Sequence, residues 1–545
     1  MNIYRSFKSA ACLAALSGLV SVAPSCTDDI KFGDSFQEKA PGGTISIDSV
    51  FINETYTRGF LANVYAHQYY GLPYGTTNGI WSASSYHGKL DAVTDIYQLH
   101  WSSTTVYSVY YQDQMSSTNG GVISYTDDAV WETVRLGYQF IENVDKCTAL
   151  DESLRERFKA EAKCVIASRY FDLFTMFGGL PLIDHATSLS DNNAKFPRAT
   201  VEETVNYMVG LLDEAIAVLP WAYNGNTSDT NSTLNRKRWS RAGAMALKAK
   251  ILTFAASPLF NSDEPYLNGE AAQQKLVWYG DYSDARWQTA LNACQDFFDG
   301  LNANGYYALE QAASASPHQY RLAYRKGYLY QTSTEPLHVT SVRDYDNAAN
   351  GYYSWSNWVN LGRNSYLPTE EYMEMFPWKD GSKFDWQADS TKIFMSKNKL
   401  TGKPTPGRLF FSYNLNATGY PATPSRDPRL YENAIVNGMT SGLDWTTGIA
   451  SGDEFELWVG GYHAGNTTVT DQMVSCYSTG YGVMKYHLAD QVGSDYLRLP
   501  LQWVTLGLSE MYLMYAECLA QTGNLSAANN QVQVVRNRVG LSLSL

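Results

Sequence analysis

Residues 200–220, Thr200 to Pro220, read TVEETVNYMVGLLDEAIAVLP. Thr200 and Glu203 stand three apart at its start, the spacing at which each side chain can accept from the other's backbone N–H in a capping box. Val201, Val205, Met208, Leu212, Ala215 and Leu219 then recur at steps of four and three, one face of a helix, before Pro220 ends it. Such an apolar stripe must be covered by another element. Three further stretches read alike. Phe158, Ala162, Val165, Ile166, Leu173, Met176 and Phe177 predict a helix ending at Gly178-Gly179. Ala244, Leu247, Ile251, Phe254 and Ala255 predict one ending before Pro258, and Leu508, Met511, Tyr512, Tyr515, Ala516 and Leu519 predict one closed by Gly523. The small residues Ala242, Ala246 and Ala249 would admit a neighbouring helix closely. The reading is mainly α, with helical repeats over about 51–260 and 500–540.

Between about 260 and 500 the sequence turns to Tyr, Trp, Gly, Asn and Ser with little periodicity, which predicts a large loop-rich subdomain of long loops, short helices and small hairpins. The stretch from Tyr69 to Gly121 has the same character, and the two irregular regions are expected to meet. At the N-terminus, Arg5 and Lys8 precede an apolar run, Ala10 to Val22, too short to span a bilayer, and Ala23-Pro24-Ser25 leads into Cys26. This looks like a bacterial lipoprotein signal over residues 1–25, with Cys26 as the lipidated residue; an ordinary secretory peptide is the competing reading. Asp28-Asp29 resembles a surface-export tag, and the polar stretch 26–50 suits a tether to a single body over 51–545.

A net charge of −13, more negative still once a leader carrying Arg5 and Lys8 is removed, argues against nucleic acid and other polyanions. The one basic triplet, Arg236-Lys237-Arg238, reads as a solvated loop. Outside the leader and Cys26, the cysteines Cys147, Cys164, Cys294, Cys476 and Cys518 form no CxxC, so neither a disulfide framework nor a metal site is expected, and they read as small buried hydrophobes. There is no GxSxG, HExxH, P-loop or GxGxxG motif, and no cofactor is expected. Glu370-Glu371 and Asp453-Glu454 are adjacent acids of a solvated face rather than a pair across a cleft. Asp344, Asp346 and Asn350 lack the turn glycine of a calcium loop.

The unusual number is an aromatic content of 14%, with 40 Tyr and 14 Trp. Sugars present CH faces and hydroxyl edges, so exposed rings beside amides, carboxylates and guanidinium groups are the side chains a glycan site needs. One such stretch holds Trp81, Tyr86, His87, Asp95 and Trp101. A second runs Arg343-Asp344-Tyr345-Asp346-Asn347 to Tyr352-Tyr353-Ser354-Trp355-Ser356-Asn357-Trp358, where rings alternating with Ser and Asn would make a poor core segment. Core packing competes for Trp101 and, more strongly, for Trp81.

Several blocks together resemble the SusD/RagB family of starch-utilisation-type nutrient-binding lipoproteins. They run from Glu161-Ala162-Lys163 through Arg169-Tyr170-Phe171-Asp172-Leu173 to Phe177-Gly178-Gly179-Leu180-Pro181-Leu182; Pro197-Arg198-Ala199-Thr200; and Ala242 through Leu247 and Leu252 to Ser257-Pro258-Leu259-Phe260. Arg426-Asp427-Pro428-Arg429, Thr479-Gly480-Tyr481 with Lys485-Tyr486, and Glu510-Met511-Tyr512-Leu513 with Tyr515-Ala516-Glu517 follow in the family's order. The resemblance implies tetratricopeptide-like helix pairs under a loop-rich glycan-binding subdomain and no catalysis. It implies a surface lipoprotein, held in the outer membrane by its N-terminal lipid, that captures oligosaccharide and closes over a SusC-like TonB-dependent transporter. Thr94-Asp95 followed by Trp101 is similar to the family region where a stacking Trp follows a Thr-Asp pair. Trp101 leads the expected glycan-binding residues, with Trp355, Trp358, Tyr353, Asn357, Arg343, Asp344 and Trp81 behind it. Family members usually continue past the block Val535–Leu541, so the last helix pair is expected to be less well supported here. A surface glycoside hydrolase, a variant binding peptides or another nutrient, and a ligand-free helical adaptor are the alternatives.

Overall fold

Thr200 Oγ1 accepts from the Glu203 amide at 3.2 Å and Glu203 Oε2 from the Thr200 amide at 2.8 Å, so the capping box forms as its spacing predicts. The structure, a computed structural model, describes residues 47–69, 93–99, 106–116, 129–187, 195–330, 332–341, 366–385, 395–397, 404–406, 410–413, 422–439, 457, 479–486 and 502–542. Apart from short helical turns such as Ile47–Phe51, its helices are α1 (Glu54–Ala66), α2 (Ala129–Asn143), α3 (Glu152–Phe177), α4 (Val201–Val218), α5 (Arg241–Ala256), α6 (Asp284–Asn304), α7 (Pro317–Leu329), α8 (Leu508–Gln521) and α9 (Leu525–Asn537). α1 packs on α2, α2 on α3, α3 on α4, α4 on α5, α5 on α6, α6 on α8 and α8 on α9. That succession of neighbouring helices is a tetratricopeptide-like solenoid.

The predicted stripes are the packed faces. Val201, Val205, Met208, Leu212 and Ala215 on α4 are buried in one continuous core, with Phe158, Val165, Ile166 and Leu173 of α3 and Leu247 and Ile251 of α5. Met176 departs from its stripe and is exposed. Ala242, Ala246 and Ala249 are fully buried where α5 meets its neighbours. Gly137 serves the same end on α2, since a Cβ there would come within 2.7 Å of Ile166 on α3. Gly178 ends α3 at φ +74°, a conformation that suits glycine. Cys147, Cys164, Cys294 and Cys518 are free and buried, as expected of small hydrophobes; Cys476 lies outside the described residues.

Two expectations need correction. The change of character expected at 260 comes after Leu329, because α6 and α7 are full helices. Trp287, Ala290, Cys294 and Phe297 give α6 a buried face at helical spacing, masked in the sequence by the Asn, Gln and Asp between them. Nor is Arg236-Lys237-Arg238 a solvated loop. Glu161, fully buried on α3, accepts from Arg238 Nη1 at 2.8 Å, from Tyr65 Oη at 2.8 Å and from Tyr223 Oη at 3.2 Å. Burial, and then the charge of Glu161, holds both phenols well above their usual pKa. A buried carboxylate is tolerable because donors surround it.

Among the described residues there are five two-stranded antiparallel ladders, all of strands beyond α7 except β1: β1 (Tyr97–Leu99) with β3 (Tyr366–Pro368), β2 (Pro336–Ser341) with β10 (Gln502–Gly507), β4 (Met395–Lys397) with β5 (Pro404–Pro406), β6 (Phe411–Tyr413) with β7 (Ala422–Pro424), and β8 (Ala434–Ile435) with β9 (Gly482–Val483). A second, smaller core of Met373, Phe410, Leu430, Tyr431, Ile435 and Tyr481 lies under them. Glu432 beside it takes Arg321 Nε at 2.9 Å and Arg325 Nε at 2.8 Å from α7, which ties this subdomain to the helical frame. Glu370 is not simply solvated, since it accepts from Tyr481 Oη at 2.9 Å.

Candidate functional site

All the glycan-binding candidates, Trp81, Trp101, Arg343, Asp344, Tyr353, Trp355, Asn357 and Trp358, lie outside the described residues, as does Cys26. The described chain nevertheless fixes where their segments are attached. Residues 342–365 leave from Ser341, the end of β2, which pairs with Gln502 of β10. They return at Tyr366, which pairs with Leu99, two residues before Trp101. Thr369 Oγ1 reinforces that junction by donating to the backbone oxygens of Asp95 and Ile96. The two irregular regions therefore do meet, through the β1–β3 ladder. The segment holding Trp81 departs just after Tyr69, whose ring stands edge-on to Trp503 of β10 with centroids 6.1 Å apart.

Trp503 is the centre of an aromatic cleft that sequence reasoning missed. Its ring lies nearly parallel to Tyr486, at 6.5 Å and 23°, and Tyr486 meets Tyr328 edge-on at 5.1 Å. Tyr324 adds another ring beside Tyr328 at 5.5 Å. Trp503, Tyr328 and Tyr69 are half-buried. The cleft encloses about 210 Å³. Tyr486 is held at φ +66°, a left-handed conformation costing a side-chain-bearing residue about 1–2 kcal/mol. Burial, and then the nearby charge of Glu432, holds the Tyr328 phenol well above its usual pKa, so it is a neutral donor.

The charges around this cleft are unevenly matched. Glu335 receives two bonds from Arg538 Nη1, at 2.6 and 2.8 Å, and Glu510 is paired with Lys250 at 2.8 Å. Lys485 also lines the cleft. Its ammonium lies 5.1 Å from the Tyr328 ring centre and 6.0 Å from that of Tyr486, and among the described residues no carboxylate pairs with it. The block Lys485-Tyr486 was visible in the sequence, but nothing local linked it to Trp503.

A second cleft of about 400 Å³ lies between Tyr223, Arg236, Tyr306 and Thr334. Of its two guanidinium groups, Arg238 is committed to Glu161 and Arg236 donates to Gln502 Oε1 at 3.1 Å. Among the described residues no group of His, Cys, Asp and Glu is placed to hold a metal ion, and no helix is long and apolar enough to cross a membrane.

Residues 326–544 match the family model described as the SusD family. The chain is similar to that family over these residues. Solved structures share its fold. A SusD-like protein from Bacteroides fragilis superposes with a TM-score of 0.61 at 20% identity, covering 93% of this chain and 83% of its own. A SusD-like carbohydrate binding protein from the same species gives 0.61 at 15% identity, covering 90% and 79%. A SusD homologue from Bacteroides thetaiotaomicron gives 0.55 at 15%, covering 92% and 80%. No curated protein matches the chain.

Several blocks that carry the family resemblance prove to be structural. Arg426 donates to the carbonyls of Met373 at 3.0 Å and Phe376 at 3.1 Å, with its guanidinium 3.5 Å from the Phe384 ring centre. Asp427 grips Arg429, accepting from its Nε at 3.0 Å and its amide at 2.8 Å. Arg198 donates to Gly179 O at 2.9 Å and Phe177 O at 2.6 Å, fastening the end of α3.

Proposed function

We propose that this chain is a non-catalytic cell-surface lipoprotein that captures oligo- or polysaccharide and delivers it to a SusC-like TonB-dependent outer-membrane transporter. The observation that carries the reading is the convergence of attachments. The segments holding Trp101 and the run Arg343 to Trp358 begin or end at Leu99, Ser341 and Tyr366, on two ladders, one of which bears the aromatic cleft at Trp503, and the segment holding Trp81 begins after Tyr69, whose ring meets Trp503. The match of residues 326–544 to the SusD family and the carbohydrate-binding description of one fold neighbour support it. In this reading Trp101 leads the sugar-stacking residues, followed by Trp355 and Trp358, with Tyr353, Asn357, Arg343, Asp344 and Trp81 around them. Residues 1–25 are a signal, Cys26 carries the lipid, 26–50 is the tether and 51–545 the body. The anchor keeps many copies beside their transporters, so modest affinity per site suffices.

Affinity electrophoresis of the soluble form lacking residues 1–26 through a panel of polysaccharides tests capture. Retardation by at least one glycan is expected, weakened by Trp101→Ala; no retardation by any of them overturns the proposal. Incubation with each retained glycan should release no new reducing ends, whereas release would make the chain a hydrolase. In cells, labelled fatty acid should enter the wild type and not Cys26→Ala.

A further inference from the structure

Beyond glycan capture in general, and resting on that reading, we infer that the cleft at Trp503 is a subsite for a single acidic sugar, whose carboxylate is taken by Lys485. Three independent observations meet there. The walls are right for a sugar ring: the half-buried indole of Trp503 and the phenols of Tyr328 and Tyr486 surround about 210 Å³, a space on the scale of one sugar unit rather than a chain.

The charge is right for an anion. Each described carboxylate at or beneath the cleft already has its cation, Glu335 in Arg538, Glu510 in Lys250, and Glu432 in both Arg321 and Arg325. Lys485 is left over, an ammonium against two tyrosine rings with no carboxylate among the described residues. In a chain of net charge −13 this is a local reversal of sign. Ring faces stabilise a cation less than a carboxylate does, so the described residues leave Lys485 incompletely matched.

The backbone is committed to the arrangement as well. Tyr486, adjacent to Lys485, is held at φ +66°, where a bulky residue is strained, and its ring lies beside Trp503. A polyanion would still be repelled by the acidic chain as a whole. One uronic acid unit offers a single carboxylate to the Lys485 ammonium, which has no ion pair among the described residues, and a CH face to the indole.

The test compares ligands that differ in charge alone: the methyl glycosides of galacturonic and glucuronic acid against their methyl esters, titrated into the full chain in detergent and followed by ligand-observed NMR. At least one acid should bind about tenfold more tightly than its ester, with the margin shrinking as salt is raised. Lys485→Met should erase the margin, and Trp503→Ala should weaken acid and ester together. Equal affinity for acid and ester, or a margin that survives Lys485→Met, overturns the inference. If polysaccharides are retained in the electrophoresis but acids are not preferred, this inference alone fails. If no carbohydrate of either kind binds, the proposed function fails with it.

Discussion

Trp239 and Trp503 are both large rings held close to the β2–β10 ladder, and their surroundings are opposite. Trp239 is fully buried, with its ring on His338 at 3.8 Å and 13° and its Nε1 donating to Gln68 Oε1 at 2.7 Å. The same oxygen takes His338 Nε2 at 3.0 Å, so the histidine carries its proton on Nε2. Every contact that Trp239 can use is made inside the molecule. Trp503 is half-buried and lines a cleft whose ammonium lies against two tyrosine rings and makes no ion pair among the described residues. The lesson is to ask whether a ring's environment is complete, because completion serves stability and incompleteness leaves something for a ligand to supply.

The largest expected effect breaks the complete side. Trp239→Ala empties a fully buried indole site and leaves Gln68 and His338 without their stacking and bonding partner. A loss of about 3–5 kcal/mol is expected, measured as a fall in the urea midpoint. A loss below about 1 kcal/mol would mean that the region is not sealed.

Next comes pH. Desolvation lowers the His338 pKa from the usual 6.5 to about 3. Above pH 6.5 neither folded nor unfolded chain protonates this ring, and the full stability is present. As pH falls below 6.5 the unfolded chain takes up a proton that the folded one refuses, so stability is lost progressively down to about pH 3. By pH 4 that amounts to roughly 3 kcal/mol. Other groups also titrate in this window, so the quantity to read is the difference between the wild-type and His338→Gln unfolding profiles. The variant should be less stable at pH 7 and should lose less on acidification; parallel profiles would place His338 in contact with water.

The contrast also explains what could be read from sequence. The stripes of α3, α4, α5 and α8 were legible because helix packing writes a local period into consecutive residues. α6 was missed because polar residues crowd the gaps between Trp287, Ala290, Cys294 and Phe297. Arg238 was misread because its partner Glu161 lies 77 residues away, and no local pattern encodes that separation. Trp503 was passed over for the same reason, since Tyr69 and Tyr486 come from distant parts of the chain. The sequence-based glycan candidates were chosen by composition, which marks a kind of surface without saying how its rings are arranged.

The smallest expected effect sharpens the comparison most. Lys485 is half-buried and makes no ion pair among the described residues, so the native state draws little from its charge. Lys485→Met keeps a long apolar stem against Tyr328 and Tyr486 and removes only the ammonium. The urea midpoint should therefore move by the equivalent of about 0.5 kcal/mol or less. A larger loss would show that the ammonium is already paired within the native protein, which would place Lys485 with Glu161 and Trp239 among the completed groups. A small gain would fit best, since removing a cation that has no ion pair among the described residues relieves a desolvation cost that a bound carboxylate would otherwise offset.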